Sequence, residues 1–250
     1  MALHRPIRPQ AADAVARDNW DLIVSHQLKT PLCALDARLS SEDALDRGTL
    51  RRDVRRMTRL IDQLHILGRC RNGEQVARRA RPFGALARDV ATELAPLACA
   101  ANRAIVFRDL SGGAHVMADE VFAIEAMRNV IENAVKYAPS NGIVEVVVLA
   151  SGAVCVLDRA ATIPYAERSA LYEPFRRGSS AARTEGSGLG LYLVREIMGL
   201  LGGGIRSRAR QGGGNVFMLG FELAGSNDPA ATVFQSVRRT PRRGRRMALV

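Results

Sequence analysis

The feature that most constrains the fold of this chain is an apolar seam in the segment that begins near Thr49. The seam residues recur at intervals of four and three residues, and they are Leu50, Val54, Met57, Ile61 and Leu64. This is the interval at which one stripe of an α-helix faces a second helix. Burial of each such side chain is worth roughly 1.5–3 kcal/mol. The chain therefore has to cover the seam with another helix.

A second amphipathic helix is predicted before the seam, from about Asp13 to about Leu39. At about 100° per residue, its apolar stripe consists of Trp20, Val24, Leu28, Leu35 and Leu39. Pro31 lies inside this helix and predicts a kink, because proline has no backbone donor. Two helices of this size cannot bury both stripes alone. The sequence therefore predicts a helical hairpin that completes a four-helix bundle with a second copy of the chain.

His26 lies nearly opposite this apolar stripe, on the face that a packed helix turns to water. Gln27 follows it, and Thr30 lies one turn further on roughly the same side. A lone histidine on a polar helix face is usually only a solvated side chain. The string VSHQLKTPL, residues 24–32, nevertheless resembles the phosphoacceptor box of sensor histidine kinases. In that box a His is followed by an acidic or amide residue, Leu, a basic residue, Thr and Pro.

A further helix is predicted over residues 119–138, and it carries two amides one turn apart. Asn129 and Asn133 face the same way at this spacing, and Mg²⁺ bound to a triphosphate takes oxygen ligands. With Lys136 and Tyr137 they match the spacing of the family's asparagine box, although each alone is typical of an ordinary helix surface. The resemblance implies that all four bind ATP, with Asn133 as the Mg²⁺ ligand and the last two near phosphate or ribose.

The string DRAATIP at residues 158–164 resembles the family's first glycine box, Asp-x-Gly-x-Gly-Ile-Pro. The resemblance implies that Asp158 accepts a hydrogen bond from the adenine amino group. Ala160 and Thr162 replace the two glycines. If these residues are forced into left-handed geometry, we expect a cost of about 1–2 kcal/mol and roughly tenfold weaker nucleotide binding. The alternative is a rebuilt loop without that strain.

The string LYEPFRRG at residues 171–178 resembles the family's phenylalanine box, which implies that Arg177 reaches a phosphate. A polar stretch, residues 179–185, is predicted to be a mobile lid. Gly186, Gly188 and Gly190 then precede a helix expected from about Tyr192 to Leu201. Glycines that open a helix form a cradle for phosphate. A dinucleotide site is set aside because it requires a strand directly before the glycines.

The remaining pattern completes an α+β chain, in which a helical-hairpin dimerisation domain precedes an α/β sandwich ATP-binding domain with helices on one face of a mixed sheet. A linker is expected from Gly68 to Arg81 and a helix from Phe83 to Cys99. The expected strands are 104–107, 115–118, 143–150, 153–157, 204–207 and 215–223. The predicted domains are a disordered lead (1–12), the dimerisation and phosphotransfer domain (13–72), the ATP-binding domain (76–224) and a basic disordered tail (225–250).

Composition limits the remaining function classes. The net charge is +11, and the last 26 residues hold six arginines and one aspartate. The four cysteines lack metal-ligand spacing, so we expect reduced thiols in a cytoplasmic protein. The sequence has no apolar run long enough to span a membrane. The sensing part is therefore expected on a partner, or in a missing N-terminal part that brings the core to a membrane.

The resemblance implies autophosphorylation of His26 from ATP and Mg²⁺ in a homodimer, then transfer to an aspartate of a response regulator. Gln27 stands where the family often has a carboxylate base, which is worth about 10²–10⁴-fold in rate, so activity is expected to be weakened. Gln27 and Thr30 are also placed to orient a water for dephosphorylation of the regulator. The alternatives are a degenerate module for phosphotransfer or dephosphorylation and a nucleic-acid binder acting through the basic tail. For that tail we favour a solvated role.

Overall fold

The computed structural model describes residues 28–29, 31–33, 35–37, 39–40, 46–72, 74–176 and 187–225. The chain divides into two compact units, Met1–His65 and Ile66–Val250. Within the described residues no helix is both long enough and apolar enough to cross a membrane.

Helical backbone makes up the described part of the first unit. Residues 28–29, 31–33, 35–37 and 39 are helical, and helix α1 spans Arg47–Arg71. Asp46 stabilises the start of α1, because its carboxylate accepts hydrogen bonds from the backbone N–H groups of Gly48 (2.9 Å) and Thr49 (3.1 Å). The predicted seam helix is therefore present. The predicted kink at Pro31 depends on the missing hydrogen bond to the Gln27 carbonyl, and Gln27 lies outside the described residues.

The predicted linker from Gly68 to Arg81 is wrong at both ends. Helix α1 continues to Arg71, and strand β1 already spans Arg79–Pro82. The helix continues because its last turn packs in the second unit: Leu67 and Cys70 are buried, and the Arg69 guanidinium lies 4.7 Å from the ring centroid of Phe122. These contacts come from residues distant in sequence, so the local charge pattern could not predict them.

Besides the end of α1, the described part of the second unit contains three α-helices, two 3-10 helices (Tyr165–Glu167 and Ala170–Tyr172) and two sheets. The helices are α2 (Phe83–Ala100), α3 (Glu120–Tyr137) and α4 (Gly190–Leu200). The strands after β1 are β2 (Ala104–Leu110), β3 (His115–Ala118), β4 (Ile143–Leu149), β5 (Ala153–Leu157), β6 (Gly204–Ala209) and β7 (Asn215–Gly220). The larger sheet has the order β2-β4-β5-β7-β6, and β1 and β3 form a separate antiparallel pair. Strands β2 and β4 are parallel, and the other pairs of the larger sheet are antiparallel.

The core of this unit lies between the helices and one face of the larger sheet. Arg88 of α2 lies over the ring of Phe107, and Phe107 pairs with Val146 in the register of β2 and β4. Large side chains that are fully buried include Phe83, Phe122, Met127, Ile131, Leu193, Ile197 and Leu219. This arrangement confirms the predicted α+β unit with a mixed sheet.

Most element boundaries match the prediction, and the differences follow from strand pairing. Strand β2 continues to Leu110 because it pairs with β4 along its whole length. Strand β6 continues to Ala209, opposite Asn215 of β7. Strand β7 ends at Gly220, three residues before the predicted end, and α4 begins at Gly190, two residues before the predicted start.

Candidate functional site

The predicted site residues fall into two groups. His26, Gln27, Thr30, Arg177 and Gly186 lie outside the described residues. The structure describes the other seven: Asn129, Asn133, Lys136 and Tyr137 on α3, Asp158 directly after β5, and Gly188 and Gly190 at the start of α4.

Asp158 is a buried carboxylate that is fixed through one oxygen. Its Oδ1 accepts hydrogen bonds from the backbone N–H groups of Ala160 (2.9 Å) and Asn215 (3.2 Å), and from the Asn215 side-chain amide (3.1 Å). Within the described part of the chain no donor reaches Oδ2. Burial raises the pKa of the Asp158 carboxyl group, and the hydrogen bonds from Ala160 and Asn215 offset this in part. The site thus holds an oriented acceptor with one oxygen available to an amino group.

The loop after Asp158 does not contain the predicted backbone strain. Among the described residues, the non-glycine residues with positive φ are Asn102, Asn141 and Phe175, so neither Ala160 nor Thr162 is left-handed. Of the two outcomes that the sequence left open, strain or a rebuilt loop, the rebuilt loop is therefore the one present.

The close approach comes instead from the facing loop between β6 and β7. Gly214 has φ +100°, and a Cβ there would lie 2.1 Å from the Asp158 carbonyl oxygen. The Thr162 hydroxyl accepts a hydrogen bond from the Gly214 N–H at 3.1 Å. The position that requires a glycine is therefore Gly214, in the loop between β6 and β7, and not residue 160 or 162.

Asn215 is a site residue that the sequence analysis missed. It is the first residue of β7 and is buried. Besides its two bonds to Asp158, its side-chain oxygen accepts from the Ile163 N–H (2.9 Å) and its amide donates to the Ala161 carbonyl (3.1 Å). Asn215 therefore positions both Asp158 and the loop that follows it. The sequence signal that could have identified Asn215 is a polar residue at the first position of an otherwise apolar strand.

Helix α3 presents the amide pair to the start of α4. Asp119 caps α3, because its Oδ1 accepts from the Val121 N–H at 3.1 Å. Asn129 is buried, and its amide donates to the carbonyl (2.8 Å) and the carboxylate (2.7 Å) of Glu125. A Cβ at Gly190 would lie 3.2 Å from Asn129 Oδ1 and 3.5 Å from Asn133 Nδ2. Both amides therefore abut the first residue of α4.

The N-terminus of α4 is suited to an anion. Leu189 occupies the cap position, and its apolar side chain accepts no capping hydrogen bond. The Ser187 hydroxyl accepts from the Leu189 N–H at 3.2 Å, one residue before the helix begins. The first backbone N–H groups of a helix lack partners within it and attract negative charge. Gly188 has φ +72°, and a Cβ there would lie 2.7 Å from the Phe175 carbonyl carbon. The Phe175 N–H donates to the Gly188 carbonyl at 3.1 Å, so the chain before residue 177 is held against the chain after residue 186.

Lys136 and Tyr137 lie together at the end of α3. The Lys136 ammonium group is 4.8 Å from the ring centroid of Tyr137, and both side chains are half-buried. Within the described residues no group of three His, Cys, Asp or Glu side chains could hold a metal ion. The amide oxygen of Asn133 suits a Mg²⁺ ion that arrives with phosphate oxygens. The whole set fits a purine with an amino group and a polyphosphate chain.

Comparison with known proteins places this unit in a family. Residues 118–225 match the family described as histidine kinase-, DNA gyrase B-, and HSP90-like ATPase. The chain is 31% identical over 199 residues to the sensor protein kinase PmrB of Pseudomonas aeruginosa, a match that covers 72% of this chain and 40% of PmrB. It is 29% identical over 226 residues to the sensor-like histidine kinase SenX3 of Mycobacterium tuberculosis, covering 82% of this chain and 53% of SenX3. The chain thus spans about half the length of these relatives.

Two solved structures share the fold. The histidine kinase AdeS of Acinetobacter baumannii superposes with a TM-score of 0.64 at 20% identity, covering 80% of this chain and 98% of AdeS. The histidine kinase ThkA, in complex with the response regulator protein TrrA, gives a TM-score of 0.63 at 18% identity, covering 85% of this chain and 63% of ThkA. At these identities the likeness supports the fold alone.

Proposed function

Since the chain belongs to the sensor histidine kinase family, we propose that it binds ATP in the second unit and transfers the γ-phosphoryl group to His26. The phosphoryl group then passes to an aspartate of a response regulator. The observation that carries the proposal is the contact of the Asn129 and Asn133 amides with Gly190, at the uncapped N-terminus of α4. That junction offers amide oxygens and backbone donors to a phosphate chain.

Each residue has a role in this proposal. Asp158, oriented by Asn215, accepts a hydrogen bond from the adenine amino group through Oδ2. Asn133 ligates Mg²⁺, which neutralises charge on the phosphates when it is bound. The other proposed phosphate or ribose contacts are Asn129, Lys136, Tyr137, Arg177, Gly186, Gly188 and Gly190.

The chemical step is an in-line displacement. The unprotonated ring nitrogen of His26 attacks the γ-phosphorus, a nitrogen–phosphorus bond forms, and the bond to the β,γ-bridging oxygen breaks as ADP leaves. The imidazole must then lose a proton. Gln27 cannot take this proton at neutral pH, so we propose slower autophosphorylation than a carboxylate at that position would give. Thr30 and Gln27 together orient a water that hydrolyses the aspartyl phosphate of the regulator, which releases inorganic phosphate.

The proposal includes a homodimer whose bundle presents His26. Two seam residues support it, because Val54 and Ile61 are each 52% exposed in the single chain. Covering apolar side chains of this kind stabilises a helical bundle. In this proposal residues 13–72 form the dimerisation hairpin, residues 76–224 bind ATP, and a receiver domain docks on the bundle, as the ThkA–TrrA complex suggests. We place the reaction in the cytoplasm, with any membrane association made through a partner or a preceding segment.

The alternatives have less support. The degenerate module relied partly on strain at Ala160 and Thr162, and neither residue has positive φ. Gln27 remains as its only argument. No contact of the described residues favours a nucleic-acid binder.

The test is incubation of the full chain with γ-labelled ATP and Mg²⁺. We expect acid-labile, base-stable label on the unmodified protein and none on His26→Ala. His115→Ala is the matched control, because His115 is an exposed histidine of β3 whose ring contacts the Gly113 carbonyl outside the site, and it should keep the label. Label that persists on His26→Ala would overturn the assignment. Nucleotide binding without label would favour the degenerate module.

A further inference from the structure

The larger sheet has an apolar cluster on the face opposite the helices. The cluster, here called the outer cluster, consists of Ala153, Cys155, Val216 and Met218. The register places them together, since Cys155 pairs with Met218 and Leu157 pairs with Val216. Partly buried side chains of the same face pack around it: Val147, Leu149 and Leu157. Alternate residues of β5 face α3, so the outer cluster belongs to the other side of the sheet.

This face is covered over one half and open over the other. Leu110 and Ile143 point to the same side from β2 and β4, and they are 59% and 49% exposed. Ala153 is 0% exposed and Val216 is 2% exposed. The four members of the outer cluster all come from strands β5 and β7 of the face itself, and in the described part of the chain no helix contributes to the cluster.

Neighbouring strand side chains account for only part of this burial. On one side Ala153 pairs with Leu149 of β4, which is itself only partly buried. On the other side Ala153 pairs with Gly220, and Gly220 pairs with Gly204, so β7 and β6 offer no side chain at that level. Arg206 and Arg208 of β6 lie beside Met218 and Val216, and both arginines are exposed. Arginine stems can shield those two residues but not Ala153. Burial also raises the pKa of the Cys155 thiol to about 11, as expected for a group away from water.

The chain leaves the unit close to this face. The Phe221 N–H donates to the Gly152 carbonyl at 2.8 Å, next to Ala153, and Leu223 then pairs with Val116. The 25 residues from Ser226 to Val250 follow. An extended residue spans about 3.3–3.6 Å, so eight residues span more than the length of the five-residue strand β5.

The sequence of this segment suits the outer cluster. From Ser226 to Val237 it carries a single charge, at Asp228, and three apolar side chains close together, Val233, Phe234 and Val237. Arginines begin only at Arg238. We propose that residues 230–237 dock on the outer cluster through these apolar side chains, and that the arginine-rich remainder is tethered beside the sheet. This revises the predicted disordered tail for its first part, and it rests on the fold rather than on the proposed kinase activity.

The test uses thiol reactivity of the full chain. Cys33→Ser, Cys99→Ser and Cys70→Ala leave Cys155 as the reporter. We expect Phe234→Asp to increase the rate of Cys155 reaction with a disulfide reagent by about tenfold or more, the factor expected when one docked aromatic side chain is lost. Gln235→Asp adds the same charge one residue later and should leave the rate unchanged. The chain ending at Val237 should keep the protection, and the chain ending at Gly225 should lose it.

A second reporter separates uncovering from unfolding. Cys70 is also buried in this unit, on α1, so a chain that keeps only Cys70 should stay protected in Phe234→Asp. Equal acceleration at Cys70 and Cys155 would overturn the proposal by assigning the change to unfolding. An unchanged Cys155 rate in Phe234→Asp would also overturn it. Protection of Cys155 that disappears on dilution would also overturn the proposal, because a second copy of the chain would then cover the outer cluster.

Discussion

The two ends of the candidate nucleotide site solve the same steric problem differently. At the base end, Ala160 and Thr162 occupy positions where the family has glycines. The loop is held by side-chain oxygens of Thr162 and Asn215, which accept hydrogen bonds from the backbone N–H groups of Gly214 and Ile163. At the phosphate end, Gly188 and Gly190 remain, and backbone and amide groups pack directly against them. The comparison teaches that two backbone segments can approach closely when one of them has a glycine at the contact. Either of the two segments can provide that glycine. At the base end it is Gly214.

The largest expected effect is at the base end, in Asp158→Asn. The amide would present a donor where Oδ2 accepts, so a donor would face the adenine amino group. A lost charged hydrogen bond with an unpaired partner costs about 1.5–3 kcal/mol, so we expect ATP to bind roughly 100-fold more weakly in titration calorimetry. Asp89→Asn on the exposed side of α2 is the control and should bind normally. Equal affinities for Asp158→Asn and the unmodified chain would remove Asp158 from the site.

Gly214→Ala tests whether the displaced glycine is required. Its Cβ would meet the Asp158 carbonyl at 2.1 Å, whereas a Cβ at Gly213, with a similar φ of +94°, meets nothing within 4 Å. Both variants carry a left-handed strain of about 1–2 kcal/mol. Gly214→Ala should lose about 1–3 kcal/mol more from overpacking, measured by urea unfolding. Equal stabilities of the two variants would contradict the close approach.

Gly190→Ala is the corresponding test at the phosphate end. The added methyl group would lie 3.2 Å from Asn129 Oδ1 and displace the amide pair by a few tenths of an ångström. We expect ATP affinity to fall about tenfold with little loss of stability. Gly199→Ala, in the same helix with nothing within 4 Å, should instead gain about 0.5–1 kcal/mol of stability and bind ATP normally. A normal affinity in Gly190→Ala would mean that the amides do not contact the nucleotide.

The pH dependence of stability should have opposite signs at two aspartates. The folded pKa of Asp158 is raised, so its unfavourable contribution grows as pH rises from about 3.8 through that pKa. The free energy of unfolding of Asp158→Asn should therefore exceed that of the unmodified chain at pH 7, by a margin that narrows towards pH 4. Hydrogen bonding by Ser111 lowers the pKa of Asp109, so Asp109→Asn should be less stable than the unmodified chain at pH 7. If the stability difference between each variant and the unmodified chain did not change with pH, both pKa directions would be contradicted.

The smallest effect is expected at Thr162. Thr162→Val removes the acceptor for the Gly214 N–H and should cost about 1 kcal/mol of stability, while Thr162→Ser keeps the hydroxyl and should cost less. Thr162→Gly restores the family's residue but should not tighten ATP binding, because Thr162 has no left-handed strain to relieve. A tenfold gain in ATP affinity in Thr162→Gly would show that strain at residue 162 weakens nucleotide binding in the unmodified chain.

The base end also shows what sequence can and cannot predict. Asp158 was predictable, because an acidic residue after an apolar strand stands out by itself. Its partner Asn215 was not, because their contact depends on the register that pairs Leu157 with Val216 across 58 intervening residues. The choice between strain and a rebuilt loop at Ala160 and Thr162 could not be made from the sequence for the same reason, since Gly214 lies on a different connection. Similarly, α1 extends to Arg71 through contacts with α3 that no local pattern contains.

The hydrogen bond between the Phe175 N–H and the Gly188 carbonyl has a consequence for how this family varies. It holds residues 175 and 188 together, so any chain between them closes a ring whose two ends are fixed. The entropy of closing such a ring changes by only about 0.6 kcal/mol when its length doubles. Insertions and deletions within it are therefore inexpensive for the rest of the unit, and relatives should differ in length here more than in the helices that flank it.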